Sequence, residues 1–102
     1  MIRKINEAEF DTATKSGVVL IDFYADWCGP CRTLSDVLSG VDSKVGNRVS
    51  ILKVDVDKER TLARRFGVSG IPKILIMKDG QVVNTMVGLH TEADLINAID
   101  SA

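Results

Sequence analysis

Cys28 and Cys31 are the only cysteines in a chain of 102 residues, and they stand three positions apart. A bridge closing so short a loop stabilises a fold by about 2 kcal/mol, against about 5 kcal/mol for a loop of about 100 residues. The pair is a poor staple and points instead to chemistry. Disulfide exchange proceeds by attack of a thiolate on a sulfur, so the attacking cysteine needs a lowered pKa and access to solvent. Cys28 is placed to have both. After Trp27, the residues Cys31, Leu34, Leu38, Val41 and Val45 recur at spacings of three and four, the stripe of an amphipathic helix, with Pro30 suited to its first turn. At the start of that helix Cys28 faces unpaired backbone N–H groups and the positive end of the dipole, which favour its thiolate and leave it facing solvent. Cys31 lies on the same face one layer deeper, placed to attack a mixed disulfide formed on Cys28. Gly29 permits close approach of a partner backbone, and Pro30 stiffens the turn.

A helix opening at Cys28 needs a strand to deliver the chain to it. Val18-Val19-Leu20-Ile21-Asp22-Phe23-Tyr24 is apolar on both alternating faces apart from Asp22, the pattern of a central strand covered on both sides. Asp22 is therefore expected to be buried. Upstream, Asn6 and Glu9 have the spacing of a capping box, with Ile5 and Phe10 as its hydrophobic staple, predicting a first helix from about Glu7 to Ser16, ended by Gly17. Gly46-Asn47 closes the second helix, and Val49 to Asp55 alternates as a second buried strand. Strand, helix and strand in that order imply a parallel pair with a right-handed crossover. Asp57 is predicted to cap a short helix through Phe66, with Leu62, Ala63 and Phe66 on its apolar side and Gly67 as its stop. The loop Gly67-Val68-Ser69-Gly70-Ile71-Pro72 leads into a strand from Lys73 to Met77, and Asp79-Gly80 is a two-residue hairpin turn into an antiparallel strand from Gln81 to Val87. Thr91, followed by Glu92, Asp94, Leu95, Ile96 and Ile99, caps a C-terminal helix. The fold class is α/β, a mixed sheet in a sandwich with helices, and the cysteine pair sits where open α/β sheets keep their sites.

The bulk numbers bound what such a site can serve. A chain of 102 residues holds one core, so one domain over residues 1–102 is expected. With 45% hydrophobic and 26% charged residues the composition is that of a globular protein. The 13 basic and 14 acidic residues nearly cancel and alternate along the chain, which argues against nucleic acid as a partner. The longest aliphatic runs, Val18 to Ile21 and Ile74 to Met77, are far below the roughly 20 residues of a membrane span. The N-terminus has a basic start but no apolar stretch or cleavage site after it, so a cytoplasmic location is expected. Structural zinc wants four Cys or His ligands, and only two cysteines and His90 are present, so no metal is expected.

The run from Asp22 to Cys31, ending in Trp27-Cys28-Gly29-Pro30-Cys31, resembles the active-site segment of the thioredoxin family. The likeness continues through Lys53-Val54-Asp55, Phe66-Gly67-Val68, Gly70-Ile71-Pro72, Lys78-Asp79-Gly80 and Val87-Gly88, covering essentially the whole chain in order. The resemblance implies a thioredoxin fold, a mixed central sheet flanked by helices on both faces. It implies Cys28 as nucleophile and Cys31 as resolving thiol, Asp22 as the buried acid that takes the proton of the deeper cysteine through water, and Lys53 as its basic partner. It implies a cis Ile71-Pro72 bond against the cysteines, and an apolar docking patch of Trp27, Val56, Gly70, Val87 and Gly88 around Gly29 and Pro30. No bound cofactor is implied beyond the redox-active disulfide Cys28–Cys31. The implied partners are disulfide-containing client proteins and thioredoxin reductase drawing on NADPH, and the chain is expected to be a monomer. Four positions depart from the family's commonest pattern: Tyr24, Arg32, Asp36 and Lys73. Asp36, where a kinking proline is common, suggests a straighter second helix, and Lys73 brings a positive charge toward the docking patch.

Plainer readings stand beside these. The cysteines could form an inert bridge, Trp27 could be core packing, and His90, just before the Thr91 cap, reads as an exposed loop residue rather than a base. Without the resemblance Pro72 would be taken as trans, since only about 5–6% of X–Pro bonds in folded proteins are cis. Arg64-Arg65 and Lys58-Glu59-Arg60 read as a solvated helix face. Two other functions remain open: an oxidant or isomerase acting outside the cytosol, against which Gly29-Pro30 argues, and a binding subunit that holds a larger enzyme active without redox turnover.

Overall fold

Covered on both faces, the strand Val18–Tyr24 takes the middle of a five-stranded sheet, and every other element is placed relative to it. The structure is a computed structural model that describes residues 1–102. In chain order it contains β1 (Ile2–Lys4), α1 (Glu7–Ala13), β2 (Val18–Tyr24), α2 (Gly29–Val45), a single 3-10 turn (Gly46–Arg48), β3 (Val49–Asp55), α3 (Arg60–Arg65), β4 (Lys73–Lys78), β5 (Gln81–Val87) and α4 (Glu92–Asp100). The strands lie in the order β1-β3-β2-β4-β5. The strand β3 runs parallel to β1 and β2, whereas β4 is antiparallel to both β2 and β5.

Side chains alternate across the sheet, so each strand feeds two cores. On one face Leu20, Ile51, Ile74 and Ile76 meet Leu34, Leu38 and Val41 of α2 and Leu95 and Ile99 of α4. On the other, Val19, Ile21, Phe23, Leu52, Val54 and Leu75 meet Phe10 of α1 and Leu62 of α3. Asp22 shares the parity of Leu20, which puts it on the α2 side of the sheet. The resulting architecture is the mixed sheet flanked by helices that the sequence implies.

Local chemistry explains most element ends. Asn6 and Glu9 form the capping box of α1, and Thr91 and Asp94 that of α4. Asp79 and Gly80 both take positive φ, 50° and 83°, the signature of the tight hairpin turn between β4 and β5. Asp36 is accommodated in an uninterrupted α2 of 17 residues.

Three expectations are corrected. The helix α1 ends at Ala13 rather than Ser16: the Thr14 hydroxyl donates to the Phe10 carbonyl at 3.0 Å, and the Gly17 N–H is taken by the Asp79 carboxylate at 2.7 Å. Gly17 thus ties the start of β2 to the β4–β5 hairpin instead of closing a helix. Asp57 does not cap α3, which begins at Arg60. The Asp55 carboxylate accepts from the N–H groups of Asp57 at 2.9 Å and Lys58 at 3.3 Å, making the turn one step earlier. The strand β1 is additional, three residues paired with Ile51, Leu52 and Lys53 of β3.

Candidate active site

The site is assembled at the C-terminal end of β2. Cys28 is the N-cap residue of α2, with extended φ and ψ of −90° and 113°, and its sulfur accepts the N–H of Cys31 at 3.2 Å. A sulfur therefore occupies the place where Ser, Asp or Asn oxygen usually satisfies an orphan donor of the first turn. Negative charge on that sulfur is favoured by the same N–H and by the helix dipole. Cys28 and Cys31 are joined as a disulfide. Both are buried, Cys28 to 5% and Cys31 to 2% exposure, so the expected contrast in access is small in the disulfide form. The cause is packing: the pair clusters with Tyr24 and Ala25, and Val56 and Ile71 lean against that cluster. Gly29 and Pro30, at the helix start, are exposed.

The loop before β4 closes over the sulfurs from the other side. The Ile71-Pro72 bond is cis, as the resemblance implies, and the Ile71 carbonyl oxygen lies 4.0 Å from the Cys28 sulfur. Gly88, at φ 92°, donates its N–H to the Pro72 carbonyl at 2.8 Å, and a side chain at Gly70 would touch Val87. Val87 and Trp27 are strongly exposed, at 59% and 70%. Trp27 is thus not core packing. Its indole N–H donates to the Asp57 carboxylate at 2.8 Å, which fixes the ring beside Cys28 and gives Asp57 a role other than the predicted helix cap. Val56 and Ile71 against the cysteines, Gly70 against Val87, and Gly88 on Pro72 form a connected rim, with Trp27 beside the pair.

Asp22 is fully buried, and neither carboxylate oxygen has a hydrogen-bond partner. Burial pushes its pKa up from 3.8 to about 6, and the charge of Lys53 holds it down only in part. Lys53 stands opposite Asp22 in the β2–β3 register, and its ammonium donates to the Ser35 hydroxyl at 2.9 Å while lying 4.6 Å from the centre of the Tyr24 ring. Tyr24, Cys31, Ser35 and Lys53 line a pocket of about 130 Å³ between α2 and the sheet. Burial raises the Tyr24 hydroxyl above its ordinary pKa, with the carboxylates of Asp55, Asp26 and Asp22 adding to the shift.

Sequence reasoning missed Ser35 as the partner of Lys53, although the signal was present. Ser35 is four positions after Cys31 and next to Leu34, so it falls on the apolar stripe of α2, where a hydroxyl facing the sheet needs a partner. Lys73 stands next to Pro72 and opposite Val87 in the β4–β5 register, and its ammonium donates to the carbonyls of Phe66 at 2.8 Å and Gly67 at 3.5 Å at the end of α3. His90 is half-buried rather than exposed, with its Nδ1 3.0 Å from the Gly88 carbonyl oxygen. No group of three or more His, Cys, Asp or Glu side chains is placed to hold a metal ion, and no helix is long and apolar enough to cross a membrane.

Comparison with known proteins gives the same picture. Residues 1–101 match the thioredoxin family. The thioredoxin of Bacillus subtilis is 45% identical over 94 residues, covering 92% of this chain and 90% of its own. That of Listeria monocytogenes is 41% identical over 100 residues, covering 98% and 97%. Among solved structures, a mutant thioredoxin from Halobacterium salinarum superimposes with a TM-score of 0.89 at 36% identity, covering 98% of this chain and 88% of that one. With a disulfide of C-x-x-C spacing at the head of α2 and family likeness along its whole length, the chain belongs to the thioredoxin family of thiol–disulfide oxidoreductases.

Proposed function

We propose that residues 1–102 form one domain that works as a general protein-disulfide reductase, with Cys28 as nucleophile and Cys31 as resolving thiol. In the dithiol form the Cys28 thiolate attacks a client disulfide, forming one S–S bond and releasing the first client sulfur as a thiolate that takes up a proton. Cys31 then gives its proton to Asp22 through water and attacks the Cys28 sulfur. The second client thiolate leaves and is protonated, and the Cys28–Cys31 disulfide closes with two electrons transferred to the client. Thioredoxin reductase, drawing on NADPH, returns two electrons to the disulfide. Asp22 is suited to proton exchange because its pKa of about 6 lies near neutral pH. Lys53 moderates that value, and Trp27, Gly29, Pro30, Val56, Gly70, Ile71, Pro72, Val87 and Gly88 form the surface against which clients dock. A monomer in the cytoplasm, with no nucleic-acid or membrane partner, completes the reading.

The observation that carries this reading is the Cys28 sulfur as N-cap of α2, accepting the Cys31 N–H at 3.2 Å. A group so placed has its thiolate stabilised in the dithiol form by a donor that already points at it. Insulin reduction coupled to thioredoxin reductase tests the proposal through NADPH consumption. Turnover by the parent and none by Cys28→Ser is expected, and a parent that consumes no NADPH would refute the reading.

A further inference from the structure

The charge run on α3 does not behave as one solvated face. Arg65 pairs with Asp11 at 3.0 Å and lies over the rings of Phe10 and Phe66. Arg3, Arg32 and Arg48 are also engaged, by Glu9, the Asp26 carbonyl and Asp100. Of the six arginines only Arg60 and Arg64 make neither an ion pair nor a side-chain hydrogen bond. They are four residues apart, so their side chains share one face of α3, and both are exposed. Arg60 also stands in the first turn of its helix, where a cation opposes the dipole and adds nothing to helix stability.

Both arginines line the largest cavity on the surface, about 570 Å³, with Val56, Ala63 and Val68 supplying its apolar lining. Val56 links this cavity to the sulfurs, because it also packs against the cluster holding Cys28 and Cys31. The carboxylates nearest in sequence are occupied elsewhere, Asp57 by the Trp27 indole and Glu59 by the Glu7 N–H at 2.9 Å. The groove thus runs from beside the reacting atoms along α3 to two uncompensated positive charges. The whole chain carries a formal charge of −1, so any attraction for an acidic partner must be local to such a patch.

We propose that this groove seats the client polypeptide flanking the reacting cysteine, and that Arg60 and Arg64 select clients whose flanking segment is acidic. The inference rests on the disulfide-exchange reading and adds a client class to it. Two exposed ion pairs to carboxylates give about a threefold to tenfold preference.

The probes are two disulfide-linked peptides, identical except that three residues flanking the cysteine are glutamate in one and lysine in the other. Their second-order reduction by the dithiol protein is followed through the fluorescence of Trp27. The expected result is faster reduction of the glutamate peptide by about threefold to tenfold, a gap that narrows as salt rises, and inversion of the preference in Arg60→Glu/Arg64→Glu. Equal rates in the parent, or a preference unchanged in the double variant, overturn the proposal. Reduction of neither peptide counts against the disulfide-exchange reading instead. The groove is then decided by 15N NMR titration of the parent with cysteine-free versions of both peptides. Shifts at Ala63, Val68 and the Arg60 and Arg64 side chains with the glutamate peptide alone support it. Equal or absent shifts, or the same shifts with a DNA oligonucleotide of matched charge, overturn it.

Discussion

Asp22 is the residue at which folding and chemistry pull in opposite directions. Its burial could be read from an acid set in an otherwise apolar central strand, and its partner Lys53 from the family likeness. Ser35 could not be read with the same ease, because a lone serine on a helix is ordinary until the sheet beneath it is known to carry a lysine. The structure ties the Lys53 ammonium to Ser35 at 2.9 Å and to the face of Tyr24, so Ser35 positions the charge that moderates Asp22. In Ser35→Ala the ammonium loses that anchor and the Asp22 midpoint should rise above about 6. The pH profile of the resolving step, measured in single turnovers, should shift upward, and Ser35→Thr should restore it. An unchanged profile would show that Ser35 fills space and nothing more.

At the scale of elements, strong local chemistry was legible, as were the parallel β2–β3 and antiparallel β4–β5 pairs that follow from element order, whereas contacts without a local signal were not. Capping boxes, the Asp79-Gly80 turn and the α2 stripe depend on residues a few positions apart. By contrast β1 has three residues, too few for a pattern, and exists because β3 offers it an edge. Gly17 is held at the start of β2 by Asp79, 62 residues later along the chain, rather than closing α1, and no local rule reaches so far. The head of α2 supports a separate prediction. Serine is a good N-cap and alanine a poor one, and both substitutions at Cys28 remove the disulfide. Cys28→Ala should therefore be less stable than Cys28→Ser by about 0.5–2 kcal/mol in urea melts. Equal stabilities would mean that the Cys28 side chain does not cap the helix.

For the whole molecule, the buried carboxyl of Asp22 sets a pH dependence of stability. Its pKa is 3.8 ordinarily and about 6 in the fold, so the native state binds more protons than the unfolded chain across that interval. The stabilising effect of low pH is fully present below 3.8 and is lost as pH rises through about 6. Above that value the ionised group destabilises the fold by an amount on the order of 3 kcal/mol. Asp22→Ala should accordingly be more stable than the parent at pH 8, by about 1–3 kcal/mol, and lose that advantage by pH 4. Denaturant melts at the two pH values check this, and a difference that does not vary with pH contradicts it. The same variant should be slower at the resolving step, since Cys31 loses its proton acceptor. The ordering of the two cysteines underlies every step, and covalent trapping tests it most directly. Cys28→Ser and Cys31→Ser are each exposed to disulfide-containing client proteins, and the adducts are identified by intact-mass spectrometry. Cys31→Ser should accumulate mixed disulfides through Cys28 while Cys28→Ser accumulates none. Equal trapping by the two variants, or trapping by Cys28→Ser alone, would contradict the assignment of Cys28 as nucleophile.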